Sequence, residues 1–321
     1  MLNRWAIWLD DFARAYRFSA CIAFARSFVA LGGFICLAFT PMNFLAQPSG
    51  TNLDHACTGI ATVSLWCIAP PVSFEVVRWA TVAFLTLTAA GYRPRFTAIP
   101  LWWVLFSNQA ALTTVEGGDQ IASVLALLLI PVSMSDSRKW HWLAKCCDVS
   151  YREPRLRDVV LGLSLITLRL QVAFIYLNAC LSKLAVPEWI DGTAIYYWLR
   201  DPLFGPARWL RPLTDALFVL GPAVALATWG VLVVEFFLGV SLLLPGTARR
   251  PLLLAGLGLH LAIAVCMGLW GFGAVMVGAL ILLLVPPTDL SSYTRAFMRR
   301  PRARMGSIRH VSISRAAECP E

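Results

Sequence analysis

Long apolar stretches separated by short polar breaks set the pattern of this chain. A bilayer core takes about 20 mostly apolar residues per helix. The pattern predicts eight spans, at about 27–46, 72–91, 98–115, 121–133, 159–184, 223–244 and 251–270, with a short eighth ending near 285. The stretch TGIATVSLWCIAPP between the first two is too short to cross alone and reads as re-entrant or interfacial. Between the fifth and sixth spans, Pro187, Pro202, Pro206, Pro212 and Pro222 break residues 185–221 into short pieces. Within them, DGTAIYYWL and ARWLRPLTDALFVL both look interfacial. The fold expected is an all-α integral membrane protein, a bundle of about eight transmembrane helices with interfacial helices in the outer loops.

The ends of the chain read differently from its middle. Residues 1–20 place Trp5, Ile7, Trp8, Leu9 and Phe12 among Arg4, Asp10, Asp11, Arg14 and Arg17, which predicts an amphipathic cytoplasmic segment lying on the membrane surface. Residues 21–286 form the transmembrane domain, and 287–321 read as a basic, flexible cytoplasmic tail. No cleavable signal-peptide pattern precedes the first span.

Composition agrees with the pattern. Hydrophobic residues make up 58% and charged residues 14%, against about a quarter charged in a soluble domain; mean hydropathy is +0.68. The net charge of +9 is a topology signal rather than a nucleic-acid footprint. Twenty Lys and Arg fall on one side of the eight spans and three on the other, with Arg26, Arg78, Arg169 and Lys183 in or at the spans. The positive-inside rule then places both termini in the cytoplasm, 135–158 inside, and 47–71 and 185–221 outside. In a bacterium the membrane would be the plasma membrane.

The nine cysteines form no C-x-x-C, and Cys146 and Cys147 have only His141 near them, so no metal is expected. Cys57 and Cys67 lie on the oxidising side, where either a disulfide or a buried thiol pair is consistent with the sequence. There is no G-x-x-x-x-G-K-[ST] and no G-x-S-x-G.

The candidate chemistry centres on the fifth span, which carries Arg169, Gln171, Asn178 and Lys183. At about 100° per residue, Arg169, Tyr176, Cys180 and Lys183 share one face and Gln171 and Asn178 the opposite one. Such a helix needs protein or a polar cavity on both sides. Ionisable groups in a membrane point to function by default, although Lys183 at the helix end could equally snorkel to the interface. Arg169 lies about 15 Å into its helix, and Glu235 and His260 fall at nearly the same depth on theirs. The expectation is an Arg169–Glu235 ion pair at mid-membrane with His260 beside it. At the outer level Lys183, Glu75, Arg78, Glu116, Asp119, Cys180 and Asp191 suggest an open cavity.

The stretch YLNACLSKLAVPEWIDG resembles a Y-x-x-x-G-x-x-K…W-x-x-G signature through Tyr176, Lys183, Trp189 and Gly192. This is the signature of the HTTM (horizontally transferred transmembrane) domain, shared by vitamin K-dependent γ-carboxylases and the sporulation-delaying protein B (SdpB-like) family. The resemblance covers about 14–286, and LHLAIAVCMGLWGFG resembles the family's His-containing helix and Gly-Phe turn. The signature's glycine is Cys180 here, and no extramembranous domain like that of the carboxylases is present. In the carboxylase branch the signature lysine is the base that activates vitamin K hydroquinone. The resemblance thus implies Lys183 as a base, Tyr176 and Asp191 as shaping or hydrogen-bonding groups, and His260 with Arg169 and Glu235 as support. A membrane quinone is the cofactor such chemistry raises. The SdpB-like branch implies maturation of a secreted antimicrobial or toxic peptide, with a peptide precursor, companion proteins and membrane lipid as partners. A peptide transporter or scaffold, and a thiol or quinone redox protein using Cys180 with Cys57 or Cys67, are the other readings.

Overall fold

The computed structural model describes residues 2–45, 57–69, 74–112, 117–143, 156–202 and 204–286. Among these residues nine long helices carry the fold: α1 (Leu2–Arg17), α2 (Ala20–Phe39), α3 (Phe74–Ala89), α4 (Pro94–Ala111), α5 (Gly117–Met134), α6 (Leu156–Lys183), α7 (Gly221–Gly239), α8 (Arg249–Met267) and α9 (Trp270–Leu284). Helices α2 to α9 stand where the eight spans are expected. Among the described residues five stretches are long and apolar enough to cross a membrane: α2, α5, α6, α7, and α8 with its leading turn. The protein is an all-α membrane protein. Among the described residues the only β contact is an isolated bridge between Tyr92 and Trp140. The tail 287–321, Glu116, Cys146 and Cys147 lie outside the described residues.

Helix α2 is the axis of the bundle. Ala25, Val29, Ala30 and Leu37 are fully buried on it. Helix α9 runs antiparallel to α2 at close range because glycines face the contact. A Cβ on Gly278 would meet the Ala25 carbonyl at 2.9 Å, and one on Gly32 would meet the Gly271 carbonyl at 2.9 Å. Small residues permit this approach where lipid offers no hydrophobic drive to associate. Helices α3 and α5 cover other sides of α2, and α7 and α8 stand at the periphery.

The first span starts earlier than its hydropathy suggests, at Ala20 rather than 27. Ser19 caps it by accepting from the Ile22 amide, and Arg26 is tolerated inside because both terminal nitrogens of its guanidinium are hydrogen-bonded, although its Nε is buried without a partner among the described residues. That group donates to the Thr88 carbonyl at 3.3 Å and to Thr97 Oγ1, and so ties α2 to the ends of α3 and α4. Ahead of α2, α1 does not use its apolar face on lipid alone: Leu9, Ala13 and Tyr16 are buried, and the Leu9 backbone packs on Gly162 of α6. Outside the spans, residues 59–63 and 65–68 form short helical turns on α4. Trp66 Nε1 donates to Asn108 Oδ1 at 3.0 Å, which accounts for the amide inside that span. Cys57 and Cys67 are joined in a disulfide. The 185–221 segment is broken into helices at 187–190, 194–198 and 211–218, as its prolines predict.

At the α3–α4 turn Gly91 has φ +93°, and a Cβ there would overlap the His141 ring. His141 donates its amide to the Gly91 carbonyl at 3.0 Å, and Nε2 lies 3.3 Å from Ser27 Oγ. Burial, then the charges of Arg26 and Arg138, hold the imidazole down to a pKa of about 3 from an ordinary 6.5. The unfolded chain takes up a proton near pH 6.5 and the folded chain does not, so acid favours unfolding through this group. Thermal stability should therefore fall from pH 6.5 towards pH 5, by at most about 1.4 kcal/mol per pH unit from His141. A His141→Gln protein should show a shallower slope in melting experiments across that window, and an unchanged slope would contradict the assignment.

Candidate functional site

Three helices bring the polar groups together. Helix α6 is one uninterrupted helix to its end at Lys183, so Tyr176, Cys180 and Lys183 stack on one face over two turns. Helix α7 runs back against it, and the contact is tight: a Cβ on Gly239 would meet the Leu177 Cα and backbone nitrogen at 2.9 Å. That register sets Glu235, one turn before Gly239, beside the outer part of α6. Helix α8 brings His260 to the same interior from the other side.

Lys183 Nζ donates to both oxygens of Glu235, at 2.7 and 2.8 Å, and lies 3.5 Å from the Ala179 carbonyl. The lysine is a quarter exposed and the carboxylate a tenth. The ammonium also sits 5.3 Å from the centre of the Trp189 ring, a cation–π arrangement. One layer deeper, the Tyr176 hydroxyl lies 2.8 Å from His260 Nε2, with both residues buried. Phe272 of α9 meets the imidazole edge to face at 5.4 Å. His260 Nδ1 is buried and has no hydrogen-bond partner among the described residues. The two pairs feel each other electrostatically, Glu235 acting on Tyr176 and Lys183 on His260. Between the layers, Cys180 Sγ lies 3.5 Å from the Leu232 carbonyl.

The outer wall is built by the stretch after Lys183. Pro187 starts a short helix that buries Trp189, and Gly192 then turns the chain at φ +77° with its Cα side flush against Trp229. Trp229 Nε1 donates to the Ile190 carbonyl at 3.1 Å, and the Ile195 amide donates to Thr228 Oγ1 at 3.3 Å. Tyr176, Lys183, Trp189 and Gly192 therefore line one place, although they are spread over 17 residues of sequence.

Several expectations are corrected. Arg169 does not pair with Glu235. Its Nη2 donates to the Leu283 carbonyl at 2.7 Å and its Nη1 to the Tyr16 hydroxyl at 3.3 Å. The reason is register: Arg169 lies eight residues, about 12 Å, before Leu177, and α7 has already ended at the level of Leu177. Nor do the outer polar groups form one cavity. Arg78 donates to the carbonyls of Leu37, Ala38 and Thr40, closing the C-terminal end of α2, and holds Glu75 at 3.4 Å. Asp119 is buried in the first turn of α5. Asp191 is exposed beside the 187–190 helix, where its amide donates to the Pro187 carbonyl at 2.8 Å, and its carboxylate makes no ion pair with the described residues of the site. The sequence reading missed Glu235 as the lysine's own partner and Tyr16 as that of Arg169. The aromatic run Trp8–Phe12–Tyr16 stacks along α1 at helical spacing and was the available signal for the second.

Removing one partner of a largely buried ion pair leaves a charge stranded. Lys183→Met or Glu235→Met alone should cost about 3 kcal/mol of stability, and the double substitution should cost less than the two singles together. Arg169→Met should add to Glu235→Met without coupling. Melting of the purified variants measures both, and strong Arg169–Glu235 coupling would contradict this geometry.

No protein-family model matches the chain, and no solved structure matches it. Two proteins of Bacillus subtilis (strain 168) do. YitO is 32% identical over 289 residues, covering 88% of this chain and 92% of YitO. The sporulation-delaying protein SdpB is 34% identical over 270 residues, covering 82% of this chain and 80% of SdpB. With that identity over most of both chains, this protein belongs to the SdpB-like family.

Proposed function

We propose that this protein is a membrane component of the production of a secreted toxic peptide, and that the Lys183–Glu235 and Tyr176–His260 pairs form its working centre at the extracytoplasmic end of the bundle. The relationship to SdpB supports the pathway. The observation that carries the centre is the meeting of Lys183 with Glu235, from separate helices, above a buried Tyr176–His260 pair. The HTTM signature, read from its residues, coincides with this meeting point. The disulfide between Cys57 and Cys67 supports an oxidising, extracytoplasmic location for that loop, and hence the plasma-membrane orientation with both termini cytoplasmic.

The centre can move protons. Lys183 Nζ sits on both carboxylate oxygens, so passing one proton to Glu235 leaves a neutral amine and a carboxylic acid without separating charge. That amine can then take a proton from a substrate, the general-base role. With its proton on Nε2, His260 donates to the Tyr176 oxygen and frees the phenolic hydrogen for an incoming oxygen atom. The HTTM resemblance raises a membrane quinone as cofactor. The residues fit one at His260 Nδ1, buried and unpartnered among the described residues, with Lys183 as the base nearby. Bound there, a hydroquinone would supply an ionisable hydroxyl and reducing equivalents.

The transporter reading calls for a polar path running from Lys183 inward past Glu235 and Arg169. Arg169 is instead tied to Tyr16 and the Leu283 carbonyl, which favours a closed centre and an enzyme or enzyme subunit. A guanidinium holds its proton at any working pH. Lys183→Arg, which keeps a charge opposite Glu235, should therefore lower mature peptide in the medium by at least about tenfold at normal membrane abundance, and Lys183→Ala should lower it by at least as much per unit of protein in the membrane, since a positioned base contributes about 10²–10⁴ in rate. Peptide assay beside immunoblot of the membrane fraction decides this, and a fully active Lys183→Arg protein would rule out the base.

A further inference from the structure

We infer that α6 is also the contact between two copies of this chain, which pair through its outward face. The inner face of α6 carries the site. Its outer face is uncovered: Val160, Thr167, Phe174 and Asn178 are exposed, Leu181 is 56% exposed, and Gln171 is half-buried. From Thr167 these positions step 4, 3, 4 and 3 residues along the helix, and Val160 lies seven before Thr167. This is the heptad seam by which two helices interlock side by side. Neither carboxamide, of Gln171 or Asn178, has a hydrogen-bond partner among the described residues.

Lipid cannot satisfy those amides. Helix α6 has 28 residues, and the hydrocarbon core takes about 20. Wherever that window falls along α6, Gln171 lies inside it. Asn178, two turns further out on the same seam, lies inside it for all but the most inward placements. Polar side chains on a lipid-facing seam find partners on another helix.

The occupant that fits is a second copy. Identical chains insert with the same orientation, so a two-fold axis relating them runs along the membrane normal and brings the same residue of each copy to the same depth. A carboxamide carries both donors and acceptors, so Gln171 meets Gln171 and Asn178 meets Asn178 as complementary partners. A charged residue on this seam would repel its twin, and the seam carries none. Thr167, a small residue on the same seam, allows close approach, and the exposed Phe174 ring supplies apolar contact between the two amide layers. The two sites then lie back to back on the outer sides of the paired α6 helices.

Replacing the amides with leucine is benign to a monomer in lipid, which separates loss of pairing from loss of folding. The full-length protein, carrying one fluorophore per chain, is reconstituted in liposomes over a range of dilutions and counted by single-molecule photobleaching. Two-step bleaching should dominate at high protein density and give way to single steps on dilution. The Gln171→Leu/Asn178→Leu double variant should need about tenfold higher density to reach the same two-step fraction, with unchanged membrane yield, whereas Leu226→Ala on the outer face of α7 should behave as wild type. Single steps at all densities would overturn the inference. So would a dimer that the double variant leaves intact, since that dimer uses another face, and so would occupancy of this face by a different membrane protein in place of a second copy.

Discussion

The ion pair between Lys183 and Glu235 is the constraint on which the rest of the site depends. Two charges in an apolar bundle are tolerated only together, and here they belong to helices separated by a 37-residue connection. The connection can vary in path, but the pair and the Gly239–Leu177 contact fix how α6 and α7 lie along each other. Once they do, Trp189 is carried under the ammonium, Gly192 closes against Trp229, and Cys180 reaches the Leu232 carbonyl. The chain after Lys183 is thus organised from the pair outward, and His260 needs only to meet Tyr176 from α8.

Three arginines inside the bundle are held by a different device. Arg26, Arg78 and Arg169 donate mainly to backbone carbonyls at helix ends, those of Thr88, of Leu37 to Thr40, and of Leu283, with Nε of Arg26 and of Arg169 buried without a partner among the described residues. The last carbonyls of a helix have no intrahelical donor and carry partial negative charge, so a planar fork of donors serves there without a carboxylate. Lysine, with a compact ammonium, is matched instead to a carboxylate. This division sets these three arginines apart from Lys183, whose two hydrogen bonds to Glu235 give its proton a place to go.

The positions of α2 to α9 were legible because long apolar runs and proline-broken loops are local signals. The faces of α6 were legible too, since 100° per residue needs no neighbour. The pairing of Glu235 was not. Depth counted along separate helices treated each span as starting at the same plane, while α2 begins seven residues earlier than hydropathy suggests and α7 stops level with Leu177. An error of two turns was enough to exchange Arg169 for Lys183 as the partner of Glu235. The outer polar residues misled for a related reason: sharing a level says nothing about which side of a bundle a helix occupies, and Arg78 and Asp119 belong to other contacts than Lys183 does.

The chain has three lysines, Lys139, Lys145 and Lys183, which makes the central pair directly observable. In membranes containing protein with ¹⁵Nζ-lysine and ¹³C-carboxyl glutamate, solid-state dipolar recoupling should report a lysine nitrogen within hydrogen-bonding range of a glutamate carboxyl carbon. That signal should persist in Lys139→Ala/Lys145→Ala and vanish in Glu235→Gln. A lysine–glutamate contact that survives Glu235→Gln, or no short contact at all in folded protein, would contradict the account.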